Sequence, residues 1–414
     1  MGQRRVVVTG MGAVTPFGIS VDVFWDGLID ARSVITATTL FDTSQFDAKI
    51  GGEVPQFDPA AHLDKKLIKR LDRYAQFALV AMDEAYKQSG LSTDREDPYR
   101  IWVIFGSGIG GMNEIETQFI RLSEKGPSKV SAFTIPKLMV NAASGNISIQ
   151  YGAKGKSIAV STACASATNA MGEALNAIRR NEADVVFTGG AEAALTPLAM
   201  AAFSAMKALS IRNDEPHRAS RPFDRDRDGF VLAEGAGAFV FEELEHARKR
   251  GATVLAEVLG FASTSDADHL TQPPDDGRGA AAAMKLALDD ARLNPDQVDY
   301  INAHATSTPL GDVAETVAIK SVFGSSAKKL VVSSTKGAVG HSLGASGGVE
   351  LVAVIQAIQN SVIPPTLNLD HPDEGCDLDF CPNNPRDGRV RVGLNNSFGF
   401  GGHNACLVVG RYEG

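Results

Sequence analysis

The sequence predicts an α/β fold: a mixed or parallel sheet buried between helical layers, built from one unit used twice. Three observations carry this. First, short β-branched runs recur along the chain: RVVVTG (5–10), IWVIFG (101–106), SIAVS (157–161), ADVVFTGG (183–190) and GAFVFEEL (237–244). They return as TVLAEVLGF (253–261), VDYINAH (298–304), KLVVSST (329–335), VRVGLNN (390–396) and NACLVVG (404–410). Second, these runs are apolar on both faces and separated by helical patterns, as expected for strands covered on both sides. Third, SIAVSTACASATNAMGEALNAI (157–178) lines up with KLVVSSTKGAVGHSLGASGGVELVAVIQAI (329–358). Each is a buried strand ending in Ser or Thr, then a small-residue turn, then a helix. Two units, 1–251 and 252–414, would face each other and bring both strand ends to one site.

Composition bounds the function. A 414-residue chain that is 44% hydrophobic can bury two domains or one large duplicated one. Lys plus Arg number 40 against 49 Asp plus Glu, so the net charge is −9. That balance argues against a broad nucleic-acid or anionic-membrane footprint. Cys376, Cys381 and Cys406 crowd the last forty residues without C-x-x-C spacing. They read as reduced, packed thiols and not as a disulfide frame or a zinc site, so no metal is expected. MGQRRVVVTG has no apolar signal core, and Val6 stands where a myristoylation motif needs Ser or Thr. No apolar run approaches the ~20 residues of a membrane span. A soluble, cytoplasmic protein is expected.

The fourth cysteine, Cys164, stands alone. It follows the strand 157–161 and opens the small-residue run ASATNAMGEALNAI. A thiol at a helix N-terminus meets free N–H groups and the positive end of the dipole, which favour thiolate and suit a nucleophile. A buried structural cysteine explains the position equally well. His304 ends VDYINAH, and His341 lies in KGAVGHSLGASGG, with Lys336 five residues before it and Glu350 nine after. Each histidine alone is more simply a satisfied core residue. One Cys and two His at strand ends of a duplicated unit favour chemistry.

STACASATNA, NAHATSTPLGD, STKGAVGHSLGASGGVE and NNSFGFGGHNA resemble the signature segments of the β-ketoacyl-acyl-carrier-protein synthases, thiolase-fold condensing enzymes of fatty acid synthesis. The similarity runs from VVVTGMGAVTPFG (6–18) through RPFDRDRDGFVLAEGAGAFVFEELEHA (221–247) to the last strand. It implies a thiolase-like α-β-α-β-α architecture and decarboxylating Claisen condensation of a Cys-bound acyl chain with a malonyl carrier. Cys164 would carry the acyl chain. His304 and His341 would hold the enolate oxygen, with Lys336 and Glu350 as a supporting charge pair. The N–H groups of Cys164 and Phe400 would form the oxyanion hole, Phe400 would gate the acyl pocket, and Phe398 would contact the substrate. Thr306 and Thr308 would bind a phosphopantetheine arm that arrives on the carrier, so no resident cofactor is implied. Two neutral imidazoles suit this chemistry, whereas a Cys–His–Asp arrangement would favour hydrolysis. Nor is Cys164 replaced by Gln, as in non-condensing partner subunits.

GSGIGG (106–111) formally matches G-x-G-x-x-G, but no acidic residue ends a second strand ~20 residues on, as ribose recognition requires. The resemblance instead makes Ile109 a wall of the acyl channel, with Phe133 reaching it from a neighbouring subunit. HLDKKLIKRLDRYAQFALVAM (62–82) carries a helical apolar stripe from Leu63 to Met82. Lys65, Lys66, Lys69, Arg70 and Arg73 fall on another face. Such a run is usually a solvated face. By resemblance, Lys66, Lys69 and Arg70, with Lys207, would dock an acidic acyl carrier protein, and the chain would form a homodimer. The rival readings are a polyketide-type or short-primer ketosynthase, a non-catalytic carrier-binding subunit and a Cys–His hydrolase. FIRLSEKGPSKVSAFTIPKLMVN (119–141) favours the long-chain elongating type.

Overall fold

The computed structural model describes residues 3–54 and 57–414; Met1 and Gly2, at the start of the segment read for lipidation, lie outside them. Each of the ten predicted runs contributes a strand. The first five are β1 (Val6–Thr15), β2 (Ile101–Gly106), β3 (Ser157–Val160), β4 (Val185–Glu192) and β5 (Gly235–Glu243). The second five are β6 (Ala256–Ser265), β7 (Tyr300–Asn302), β8 (Val331–Ser333), β9 (Val392–Gly399) and β10 (His403–Gly410).

Side by side they run β3-β2-β4-β5-β1-β6-β10-β9-β7-β8. Each half therefore has the spatial order third, second, fourth, fifth, first. Strand senses repeat too. The second strand is parallel to the third and fourth, and the fifth is antiparallel to the fourth and first. The halves meet at a narrow antiparallel seam in which Val6, Val7 and Val8 face Val258, Glu257 and Ala256.

The helices that matter for the site are α1 (Arg73–Ser89), α2 (Met112–Lys125), α3 (Ala142–Tyr151), α4 (Ser166–Arg179), α5 (Arg278–Ala291), α6 (Pro309–Phe323) and α7 (Ser346–Asn360). Helices α1 and α3 cover the outer face of the first half, and α5 with α6 beside it covers that of the second. Between the halves lie α4 and α7, which touch strands of both. This is the five-layer α-β-α-β-α arrangement. Helix α7 is buried almost from end to end, as a helix enclosed by two sheets must be. Leu351, Val352, Val354, Ile355 and Ile358 of α7 are all buried, each contributing roughly 1.5–3 kcal/mol. Small residues let the two central helices approach: a Cβ on Gly347 would fall 2.0 Å from Thr168 Oγ1.

One expected helix is two. The segment 62–82 breaks into a short helix, Lys65–Arg70, and α1, with Leu71 extended between them. Asp72 makes the break: its carboxylate accepts from the N–H groups of Tyr74 and Glu114, capping α1 and tying it to α2. Arg73 consequently leaves the basic face and turns inward to form a bidentate pair with buried Glu234.

Candidate active site

The β3 and β8 ends meet where the duplicated order predicts. Beyond β3 the chain turns through Ala163, held at φ 49°, and presents Cys164 just before the first turn of α4. Beyond β8 a short helix, Lys336–Val339, carries Lys336 inward, and His341 follows before α7 begins. His304 stands directly after β7. One thiol and two imidazoles converge, with a ligand atom of each within 4.8 Å of the others.

His341 Nε2 lies 3.1 Å from Cys164 Sγ, and His341 Nδ1 lies 2.9 Å from Ser346 Oγ at the start of α7. The His341 ring packs edge-on to His304 at 5.3 Å and to Phe230 at 5.3 Å. His304 also meets the Phe398 ring at 5.8 Å. Its backbone N–H and that of Ala305 donate to Glu315, at 3.0 and 2.7 Å, which fixes the loop without touching the ring. Among the described residues, buried His304 Nδ1 has no hydrogen-bond partner.

The electrostatics follow from burial. Desolvation, with the Lys336 ammonium nearby, holds both imidazoles well below their usual pKa, so both are neutral near pH 7. Cys164 is 8% exposed, and burial pushes its thiol up to about 12, against the pull of Lys336 and the Phe400 N–H. This corrects the expectation that the helix N-terminus favours thiolate: desolvation wins, and the resting thiol is protonated. Lys336 Nζ pairs with Glu350 deep in the core, both side chains almost wholly buried. Burial raises the Glu315 carboxyl to about 7.

A cavity of about 640 Å³ opens from the thiol to the surface. Cys164, His304, His341, Ile109, Phe398 and Phe400 line its inner part. Thr306, Thr308 and exposed Lys207 also border it, the two threonine hydroxyls lying 3.2 Å apart. Lys336 and Glu350 sit behind the wall. Phe133 does not reach this chain's own cavity and lies exposed beneath the Arg70 guanidinium, 5.6 Å away. Lys66, Lys69 and Arg70 project into solvent. All four cysteines are free and buried.

The GSGIGG turn holds no free phosphate cradle, because the N–H groups of Gly108, Ile109 and Gly110 donate to the Glu192 carboxylate. Glu192, Glu315 and Ser346 are site residues that the motif reading passed over. Two carried a signal: Glu192 is an acid closing a strand run, and Glu315 lies one turn after Asp312 between the apolar Ala314 and Ala318 of α6.

Comparison with known proteins follows the same lines. Residues 3–247 match the family model for the β-ketoacyl synthase N-terminal domain, and residues 255–370 match that for the C-terminal domain. The chain is 48% identical to the 3-oxoacyl-[acyl-carrier-protein] synthase 2 of Coxiella burnetii, across 99% of both chains. Against the protein of that name from Synechocystis sp., identity is again 48% over 99% of each. Among solved structures, a β-ketoacyl synthase from Burkholderia phymatum superposes with a TM-score of 0.93 at 36% identity, covering 99% of this chain and 100% of that one. A chain from a type II polyketide ketosynthase in complex with its acyl-carrier protein superposes with a TM-score of 0.93 at 34% identity, covering 100% of both.

Proposed function

This chain belongs to the β-ketoacyl synthase family, and on that premise we propose how its residues divide the condensation that lengthens a fatty acid. The observation that carries the division is a pair of neutral imidazoles facing one buried thiol, with no carboxylate on either ring among the described residues. A carboxylate on one ring, in a Cys–His–Asp arrangement, would instead favour hydrolysis. A condensing enzyme needs donors for enolate charge that do not hand over a proton early.

In the first half-reaction Cys164 Sγ attacks the acyl thioester carbonyl. Its proton passes to His341 Nε2 and leaves on the departing pantetheine thiol. The N–H groups of Cys164 and Phe400 hold the tetrahedral oxyanion. Malonyl thioester then enters, and loss of carbon dioxide leaves an enolate whose oxygen His304 and His341 stabilise. The enolate carbon attacks the acyl-Cys164 carbonyl, and collapse of that adduct expels the Cys164 thiolate, which takes up a proton from solvent to restore the resting thiol. Lys336 and Glu350 fix the loop that carries His341. Thr306 and Thr308 hold the pantetheine arm, Ile109 and Phe398 wall the acyl channel, and Phe400 gates it. All of these groups are the protein's own, and the phosphopantetheine arrives with the substrate.

The partners are proposed on surface chemistry. Lys66, Lys69, Arg70 and Lys207 form exposed basic positions on an acidic chain, which suits an acidic acyl carrier protein. For a homodimer the support is an open edge. Among the described residues β3 pairs on one side only and is partly exposed, while Ile115, Phe119, Ile120, Ile135 and Met139 present apolar surface that a partner would cover, Phe133 then reaching the partner's channel. Among the described residues no helix is long and apolar enough to cross a membrane; a cytoplasmic setting is proposed from that and the substrate. The repeat of strand order supports the division 1–251 and 252–414.

The test is carbon dioxide release from malonyl carrier, with and without an acyl primer, beside single-turnover acylation read by mass spectrometry. Cys164→Ala is expected to lose acylation and condensation while retaining malonyl decarboxylation. A variant that still condensed would remove Cys164 from the mechanism.

A further inference from the structure

The mechanism leaves Glu192 without a task, yet few groups in the molecule are so elaborately held. It ends β4 and is wholly buried. Oε1 accepts from Ser107 Oγ at 2.9 Å, Ile109 N at 3.2 Å and Gly110 N at 3.3 Å. Oε2 accepts from Gly108 N at 2.7 Å and Gly344 N at 3.1 Å. Four of these donors come from the GSGIGG turn, and the fifth comes from the turn just beyond His341. A Cβ on Gly108 would fall 2.9 Å from Oε2, and one on Gly344 would fall 2.6 Å from it. Only glycine lets both turns close this tightly on the carboxylate. The residues these turns carry into the cavity are Ile109 and Leu343, which pack in one apolar cluster with Cys164.

We propose that Glu192 is the positioning residue that sets the acyl end of the channel, holding Ile109 and Leu343 against Cys164 so that the accepted chain length depends on it. The inference rests on reading this cavity as the acyl channel. A single carboxylate that satisfies donors from two turns couples their positions, because neither turn can shift without leaving buried N–H groups unpaired. When ionised, the same carboxylate adds to burial in raising the Cys164 thiol, while burial raises Glu192 itself against the pull of its donors. Glu192 thus has two separable effects, one through shape and one through charge.

The experiment compares Glu192→Gln, Glu192→Asp, Ser107→Ala and Ile109→Ala for the spread of acyl lengths condensed and for the pH at which iodoacetamide alkylates Cys164. Glu192→Gln is expected to broaden the range of chain lengths and lower kcat/KM for the preferred primer ~10-fold or more. It should also move alkylation to lower pH. Glu192→Asp and Ser107→Ala keep the charge, so they should broaden selectivity without moving the alkylation profile. They also keep the test open if the Gln variant does not fold. A folded Glu192→Gln protein with wild-type selectivity and alkylation, beside altered selectivity in Ile109→Ala, would overturn the role of Glu192 alone. Unaltered selectivity in Ile109→Ala would overturn the channel reading and this inference with it.

Discussion

The two halves repeat one strand order but connect their third strand to the central helix differently. After β3, residues 161–165 suffice to reach α4, and the turn delivers a single uncharged thiol. After β8 the chain needs residues 334–345 to reach α7, and the extra length folds into the Lys336–Val339 helix and the His341 turn. The short connection is neutral, whereas the long one buries an ion pair. Duplication fixes where the strand ends meet. Loop length decides what each end brings.

The contrast is most severely tested from inside the long connection. Lys336→Met strands the Glu350 carboxylate in the core, and is expected to lower stability by about 3–5 kcal/mol in urea unfolding. Lys336→Met with Glu350→Leu should recover most of that. A single variant as stable as the wild type would mean that the pair is not a structural burden of the second half.

Next in size is the split between the histidines. His304→Ala should slow carbon dioxide release ~100-fold while leaving acylation of Cys164 intact. His341→Ala should impair both, because Nε2 touches Sγ across the junction of the halves. Equal behaviour of the two variants would erase the distinction between a histidine that faces both halves and one that faces only the substrate.

A smaller effect belongs to the surface of the first half. Lys66→Glu, Lys69→Glu and Arg70→Glu together should raise KM for carrier-linked substrates ~10-fold and spare small thioester mimics. The wild-type KM should climb as salt rises over ~0.05 to 0.2 M. An unchanged KM would end the docking proposal.

The smallest is a pH effect at the far end of β5. Glu242 and Glu96 flank His246 at 2.6 and 2.8 Å and hold it up to about 9, above its ordinary 6.5. A raised folded-state pKa stabilises fully below about 6.5 and loses that contribution as pH climbs through 9. Melting temperature should therefore fall between pH 7 and 9.5, and His246→Gln should flatten the slope. An unaltered slope would show that this cluster does not report on the first half's stability.

Strand positions and the two-unit plan were legible because β-branched runs and the aligned Ser/Thr turns are local signals. Cys164, His304, His341, Lys336 and Glu350 were legible by motif, and the chain brings them together. The state of the thiol was not, since it depends on desolvation by residues such as Leu343 and Phe230 that lie far off in sequence. The break at Leu71 was hidden because the apolar stripe continues through it, although Asp72 caps α1 locally through Tyr74 as well as binding the distant Glu114 N–H. Glu192 escaped because its partners come from two distant turns.

The narrow seam and the strand order have a consequence for biosynthesis. β1 and its main partner, β5, pair Glu243 with Val6 across more than two hundred intervening residues. The seam waits for Ala256–Val258, and the apolar surface of α4 stays uncovered until α7 follows. Non-local pairing of this kind folds slowly and leaves sticky surface exposed in the meantime. The interior of the first half therefore stays in contact with water until the strands and helix that close it have been made.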